Sequence, residues 1–162
     1  MNFIKNIMQV EKFTIPPEIT YAIKQGIWPR THTEAIQQNI ESLVSIEVIH
    51  GFAPDEDHLF LYPPPFVTLQ SEIDSGGTLS PEELAVDQIN PSAVIVIGDF
   101  GPGSDTAVAL DYSTSDIQPI VIRQQWRLPH ETNRWLKIAS TFSAFWAMLS
   151  LEKASIGSLP LS

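Results

Sequence analysis

The chain has 162 residues, 43% of them hydrophobic, with no cysteine and 19 acidic against 9 basic side chains, a formal charge of −10. That length supports one hydrophobic core without disulfides or metal. The missing cysteines exclude a disulfide scaffold, a thiolate zinc site and a cysteine nucleophile. The acidic balance argues against general nucleic-acid binding and against an anionic membrane surface, and it suits a basic protein partner.

Met1 to Phe13 interleaves apolar residues with Lys5, Gln9, Glu11 and Lys12, so no signal peptide is expected. No apolar run approaches the ~18 residues of a membrane span. A cytoplasmic location is the matching expectation. Thr14-Ile15-Pro16-Pro17-Glu18 reads as a helix start, because proline in a first turn loses no hydrogen bond. Ile19, Ala22 and Ile23 share a face of that helix, and Gly26 is a stop. Thr31 and Glu34 have capping-box spacing, predicting a second helix whose Ile36, Ile40, Leu43 and Val44 form a core-facing stripe. Ser45 to Gly51 fits a short strand or a helix end equally well.

Leu59 to Tyr62 has strand composition. Pro63, Pro64 and Pro65 lack N–H groups and cannot join a ladder, so they predict an extended or kinked link to Phe66 through Leu69. Asp74 to Gly77 reads as a loop, and Ser80-Pro81-Glu82-Glu83 as a helix cap and first turn. Val94 to Ile97 is a continuous apolar run, as in a strand buried on both faces. Gly98 to Ser104 is a glycine-rich turn, Ala107 to Tyr112 an alternating strand, and Ile120 to Trp126 a third strand. Short connections make residues 93–126 an antiparallel meander. Leu128 to Trp135 reads as a polar loop. Phe142, Phe145, Trp146 and Leu149 then define the core face of a helix capped near Ser140 or Thr141. Ala154 to Ser162 reads as a frayed tail. No repeat or linker divides the chain. The expectation is a single α+β domain, residues 1–162 with a core over 14–150, its mostly antiparallel sheet flanked by N-terminal helices and a C-terminal helix.

Catalytic signatures are weak. Asp74-Ser75-Gly76-Gly77 lacks the glycine that precedes a chymotrypsin-type serine, Ile73 standing in its place. Gly98 to Gly103 lacks the Lys-Ser/Thr ending of a phosphate loop and contains Asp99, with Asp105 just beyond. Asp99, Asp105 and Asp111 do not have calcium-loop spacing. His32, His50, His58 and His130 stand outside any metal motif. No catalytic residue, cofactor or metal ligand is therefore assigned.

The block Leu59 to Phe66, then Ile97-Gly98-Asp99-Phe100-Gly101, Gly103-Ser104-Asp105, Leu110-Asp111-Tyr112, Pro119-Ile120-Val121 and a helix opened by Ser140-Thr141-Phe142 form an ordered set. In that order it resembles the SUKH superfamily over roughly residues 14–150. The resemblance implies a compact α+β fold without a cofactor. It also implies either an immunity protein that binds and neutralises a toxin, often a nuclease, or an interaction scaffold like the yeast cell-wall-assembly regulators. Gly98, Asp99, Phe100, Gly101, Asp105 and Asp111 fall on the motif, with structural roles expected for them. Glycines would shape the turn, and aspartates would accept backbone N–H bonds within it.

The leading functional expectation is a non-catalytic domain that neutralises a basic, nuclease-type toxin by occlusion. A regulatory scaffold is the alternative, and a small hydrolase using Asp99 or Asp105 with a metal is the third. The contact candidates are Asp55, Glu56 and Asp57, beside the apolar Pro63 to Phe66 segment, together with Glu72 and Asp74.

Overall fold

The computed structural model describes residues 9–76, 79–127 and 131–151. A two-residue hairpin, β1 (Gln9–Val10) and β2 (Phe13–Thr14), leads into α1 (Pro17–Lys24). Two short helices follow, α2 (His32–Ile36) and α3 (Ile46–Phe52), and then the short strands β3 (Phe60–Leu61) and β4 (Val67–Thr68). Helices α4 (Leu69–Asp74) and α5 (Pro81–Val86) precede four longer strands, β5 (Val94–Asp99), β6 (Ala107–Asp111), β7 (Ile120–Gln125) and β8 (Arg134–Ala139). Helix α6 (Phe142–Leu149) ends the described fold.

Strands β5 to β8 form an antiparallel meander, with Ile95 opposite Leu110, Leu110 opposite Val121, and Arg123 opposite Leu136. The outer edge of β5 carries two short strands. β3 pairs its C-terminal end, Leu61 opposite Gly98, and β4 its N-terminal half, Val67 opposite Val96. Pro63 to Pro65 span the gap between them, where no N–H is needed. The protein is an α+β domain with a mostly antiparallel sheet.

Strand alternation separates two cores. Ile95, Ile97, Val108, Leu110 and Val121 face α1, α3 and α6, in one cluster with Ile19, Ile23, Ile49, Phe145 and Trp146. Val94, Val96, Ala109, Ile122 and Trp135 face the other way, under α4 and α5, with Leu69 and Leu84. Strand β5 is thus buried on both sides, as its uninterrupted apolar run requires. The aromatic face of α6 is core. Phe145 is fully buried between Phe142 and Phe52, so its truncation would cost about 3–5 kcal/mol.

Local signals explain most helix ends. Pro17 opens α1, and Gly26 stops it at φ +76°. Ser80 caps α5 and Thr141 caps α6, each side chain accepting an N–H three residues on. Thr31 caps α2 in the same way, but the predicted core stripe does not follow. α2 gives way to a 3-10 turn after Ile36, and Ile36 and Ile40 are exposed, leaving Val44 buried and Leu43 half-buried. Ser45 to Gly51 is helical, capped by Ser45. The predicted polar loop is also shortened, because Arg134 and Trp135 begin β8, while Leu128 to His130 lie outside the described residues. The segments read as a leader-free start (Met1 to Met8), as part of a loop (Gly77) and as a tail (Ala154 to Ser162) also lie outside them.

Candidate partner-binding cleft

The end of β5 and the turn after it are fixed by short polar links. Asp99 Oδ1 accepts the Gly101 N–H at 2.7 Å, and its Oδ2 accepts the Tyr62 hydroxyl at 2.7 Å. Gly101 and Gly103 have φ of +86° and +91°, in the region that favours glycine. Gly98 is needed for a different reason from the turn geometry expected of it. It lies within β5, and an added Cβ would sit 2.4 Å from the Phe60 carbonyl oxygen. Phe100 is buried, with the Arg123 guanidinium 5.5 Å from its ring centre. At the far end of the meander, Asp111 accepts the Ser113 N–H at 2.9 Å.

The acidic run divides three ways. Asp55 pairs in two-pronged fashion with Arg123, at 2.6 and 3.2 Å, and that arginine side chain is only 3% exposed. Burial opposes ionisation of Asp55, but the hydrogen bonds and charge of Arg123 outweigh it and hold the carboxyl below its ordinary range. Glu56, expected on the surface, is buried. Its Oε2 accepts the Ser104 hydroxyl at 2.7 Å and the Thr106 hydroxyl at 3.2 Å. Asp57 is exposed and lies 2.8 Å from His50.

On the opposite face of the sheet, α4 and α5 leave a cleft of about 540 Å³ above β5, β6 and β7. Glu72, Glu83 and Asp105 line it, with Tyr62 and Gln124 on its walls and the exposed Trp126 at its rim. Among the described residues that line it there is no lysine, arginine or histidine. Glu83 Oε2 accepts from Gln124 at 2.7 Å and from the Trp135 indole at 3.0 Å. Burial raises the Glu83 carboxyl despite these donors. Burial, reinforced by the charge of Asp99, raises Glu72 as well. Tyr62 is likewise raised, by burial and then by its bond to Asp99. Asp74 ends α4 outside the cleft lining, exposed and accepting from Gln70 at 2.9 Å.

One polar chain joins the two acidic regions. Glu56 holds the Ser104 hydroxyl, and the Ser104 carbonyl accepts the Trp126 indole N–H at 2.6 Å. Asp55, Glu56, Asp105 and Glu72 thus gather around one end of the sheet, where Asp99 pairs with Ala107 and Gln125 with Arg134. Glu83, Trp126 and Arg123 were not assigned to any site from sequence. A glutamate three residues after a capping serine reads as a helix signal, and the other two read as strand residues.

Fold and site together define an α+β domain with an acidic, aromatic-rimmed cleft at one end of its sheet. No family model, curated protein or solved structure matches the chain. No helix among the described residues is long and apolar enough to cross a membrane, and no group of three or more His, Cys, Asp or Glu among them is placed to hold a metal ion.

Proposed function

We propose that the chain is a non-catalytic protein-binding domain of the SUKH superfamily, acting in the cytoplasm as an immunity-type protein that occludes a basic, nuclease-type toxin. The observation that carries this reading is the acidic, tryptophan-rimmed cleft at one end of the sheet. Carboxylates from three separate segments converge there, and an exposed tryptophan is pinned beside them by the Ser104 carbonyl. Pre-organised carboxylates speed encounter with a basic surface and disfavour acidic competitors. A tryptophan already held in place loses little entropy on burial, and tryptophan is enriched among residues that dominate interface energy. Occlusion needs no chemistry, only a stable interface of roughly 1,600 Å² in total.

The test is affinity capture from the native lysate at low and then high salt, followed by assay of the captured protein's own activity with increasing amounts of the domain. A basic partner whose activity falls to zero at stoichiometric domain supports neutralisation. Salt-resistant partners that keep full activity when saturated would overturn it in favour of a regulatory scaffold.

A further inference from the structure

The cleft on the α4/α5 face has a more specific chemistry than a generally acidic surface. It is concave, and its volume of about 540 Å³ lies within the usual range for ligand sites. Its described lining residues carry three carboxylates and no basic side chain. Glu83 is only 7% exposed. Both of its hydrogen bonds reach Oε2, leaving Oε1 without one among the described residues, although the Asn133 side chain adds a weaker favourable interaction. Glu72 is half-buried and gains no stabilising donor there, while Asp99 adds further negative charge behind it. Negative charge partly withdrawn from water, with no basic group among the described lining residues, is costly, and an arriving cation lowers that cost.

The rim identifies the kind of cation. Trp126 is 54% exposed, yet its indole N–H is fixed to Ser104, so a ring face stands ready at the mouth. Tryptophan is the strongest cation–π partner. The Gln124 amide N–H donates to Glu83 Oε2 at 2.7 Å and its oxygen accepts the Ala107 N–H, so the acceptors the wall leaves to a ligand are the carboxylates of Glu83 and Glu72. A planar guanidinium can stack on an indole and donate to two acceptors at once, whereas an ammonium is a compact point charge.

We infer that this cleft receives one arginine side chain of the protein partner, its guanidinium against Glu72 and Glu83 and its stem across Trp126. The inference rests on the protein-binding reading, and it names the feature of the partner that the domain recognises.

The test uses the full chain alone, so its outcome is independent of whether a toxin is found. N-acetyl-arginine amide, N-acetyl-lysine amide and N-acetyl-citrulline amide are titrated while backbone and indole resonances are followed by NMR. The arginine probe should shift Glu72, Glu83, Gln124 and the Trp126 indole together, with about three- to ten-fold tighter binding than the lysine probe and no saturable binding of citrulline. Trp126→Ala and Glu72→Gln should each weaken it by roughly three-fold or more, with the amide spectrum otherwise unchanged. Equal binding of citrulline, or shifts scattered over the acidic surface that salt removes uniformly, would overturn the inference. Free arginine binding more tightly than its blocked amide would overturn it too, by pointing to a free metabolite. If arginine binding is confirmed while a cleft variant still neutralises the partner at unchanged affinity, the partner-arginine assignment fails and the protein-binding reading stands.

Discussion

Trp126 and Ser104 are 22 residues apart, yet the indole N–H of one donates to the carbonyl of the other at 2.6 Å. That bond couples the end of β7 to the turn leaving β5. Because the Ser104 hydroxyl also donates to Glu56, the exposed ring is indirectly tied to the acidic loop on the opposite face of the sheet. The acidic loop and the cleft are therefore parts of one structure.

Glu56 should behave as a core residue. Its Oε2 serves two hydroxyls, from Ser104 and Thr106, and Thr106 is itself almost fully buried. Glu56→Ala should lower stability by about 1–3 kcal/mol in urea unfolding, because it leaves buried donors unmatched. Glu56→Gln keeps an acceptor oxygen and should lose less. A smaller loss for Ala than for Gln would contradict the placement of this side chain.

Asp55 and Glu72 should respond to pH in opposite directions. The folded-state carboxyl of Asp55 lies below its ordinary value, so its stabilising contribution is complete above about pH 4 and is lost as pH falls through the folded value. Asp55→Asn should therefore be destabilising at pH 7, by about 1–3 kcal/mol after allowance for partial exposure, with the difference narrowing in acid. Glu72 is raised, so the fold favours its protonated form, and that contribution is complete below about pH 4 and lost as pH rises through the folded value. Glu72→Gln should raise the melting temperature by a degree or so at pH 7 and leave it unchanged in acid. Melting curves of both variants from pH 3 to 8 would check both signs.

Gly98 should be intolerant of even one methyl group. A Cβ there meets the Phe60 backbone at 2.4 Å, and backbone in a paired strand cannot move aside as a side-chain tip can. Gly98→Ala should cost roughly 2–4 kcal/mol and speed amide exchange at Tyr62, whose N–H donates to the Ile97 carbonyl across that pair. Gly103→Ala meets no steric contact and should show only the smaller cost of a positive φ, about 1 kcal/mol.

Much of this architecture could be read from local patterns. Val94 to Ile97 needed no context to read as a doubly buried strand, and the caps at Thr31, Ser80 and Thr141 depend only on residues three positions away. The Ile36 and Ile40 stripe misled because periodicity reports where a helix would place its apolar face, while tertiary packing decided that the helix stops at Ile36. β8 was concealed by its mixed composition. Arg134 and Lys137 belong to a strand only because β7 offers it a full ladder, and Arg134 finds Asp87 47 residues away, at 2.6 Å. The site was legible as charge but not as geometry. Nothing local to Asp55-Glu56-Asp57 tells that the first pairs with Arg123, the second is buried and the third faces solvent.

Charge that acts on a partner must be free of the fold, which selects Asp57 and Asp74 for the kinetic test. Reversing or neutralising Asp55, Glu56 and Asp57 together would perturb the Arg123 pair and the Ser104 junction, so slow association would be confounded with lost structure. Asp57 and Asp74 are exposed, and their contacts to His50 and Gln70 are surface contacts worth little. The double variant Asp57→Asn with Asp74→Asn should melt within about 0.5 kcal/mol of the parent chain. It should nevertheless associate with a basic partner several-fold more slowly at low ionic strength, with a shallower dependence on salt and a nearly unchanged off-rate. Stopped-flow association with the partner at two salt concentrations, followed through intrinsic tryptophan fluorescence with Trp126→Phe as the control, makes the measurement. An unchanged on-rate at low salt would remove both residues from the encounter and leave the cleft as the site of charge recognition.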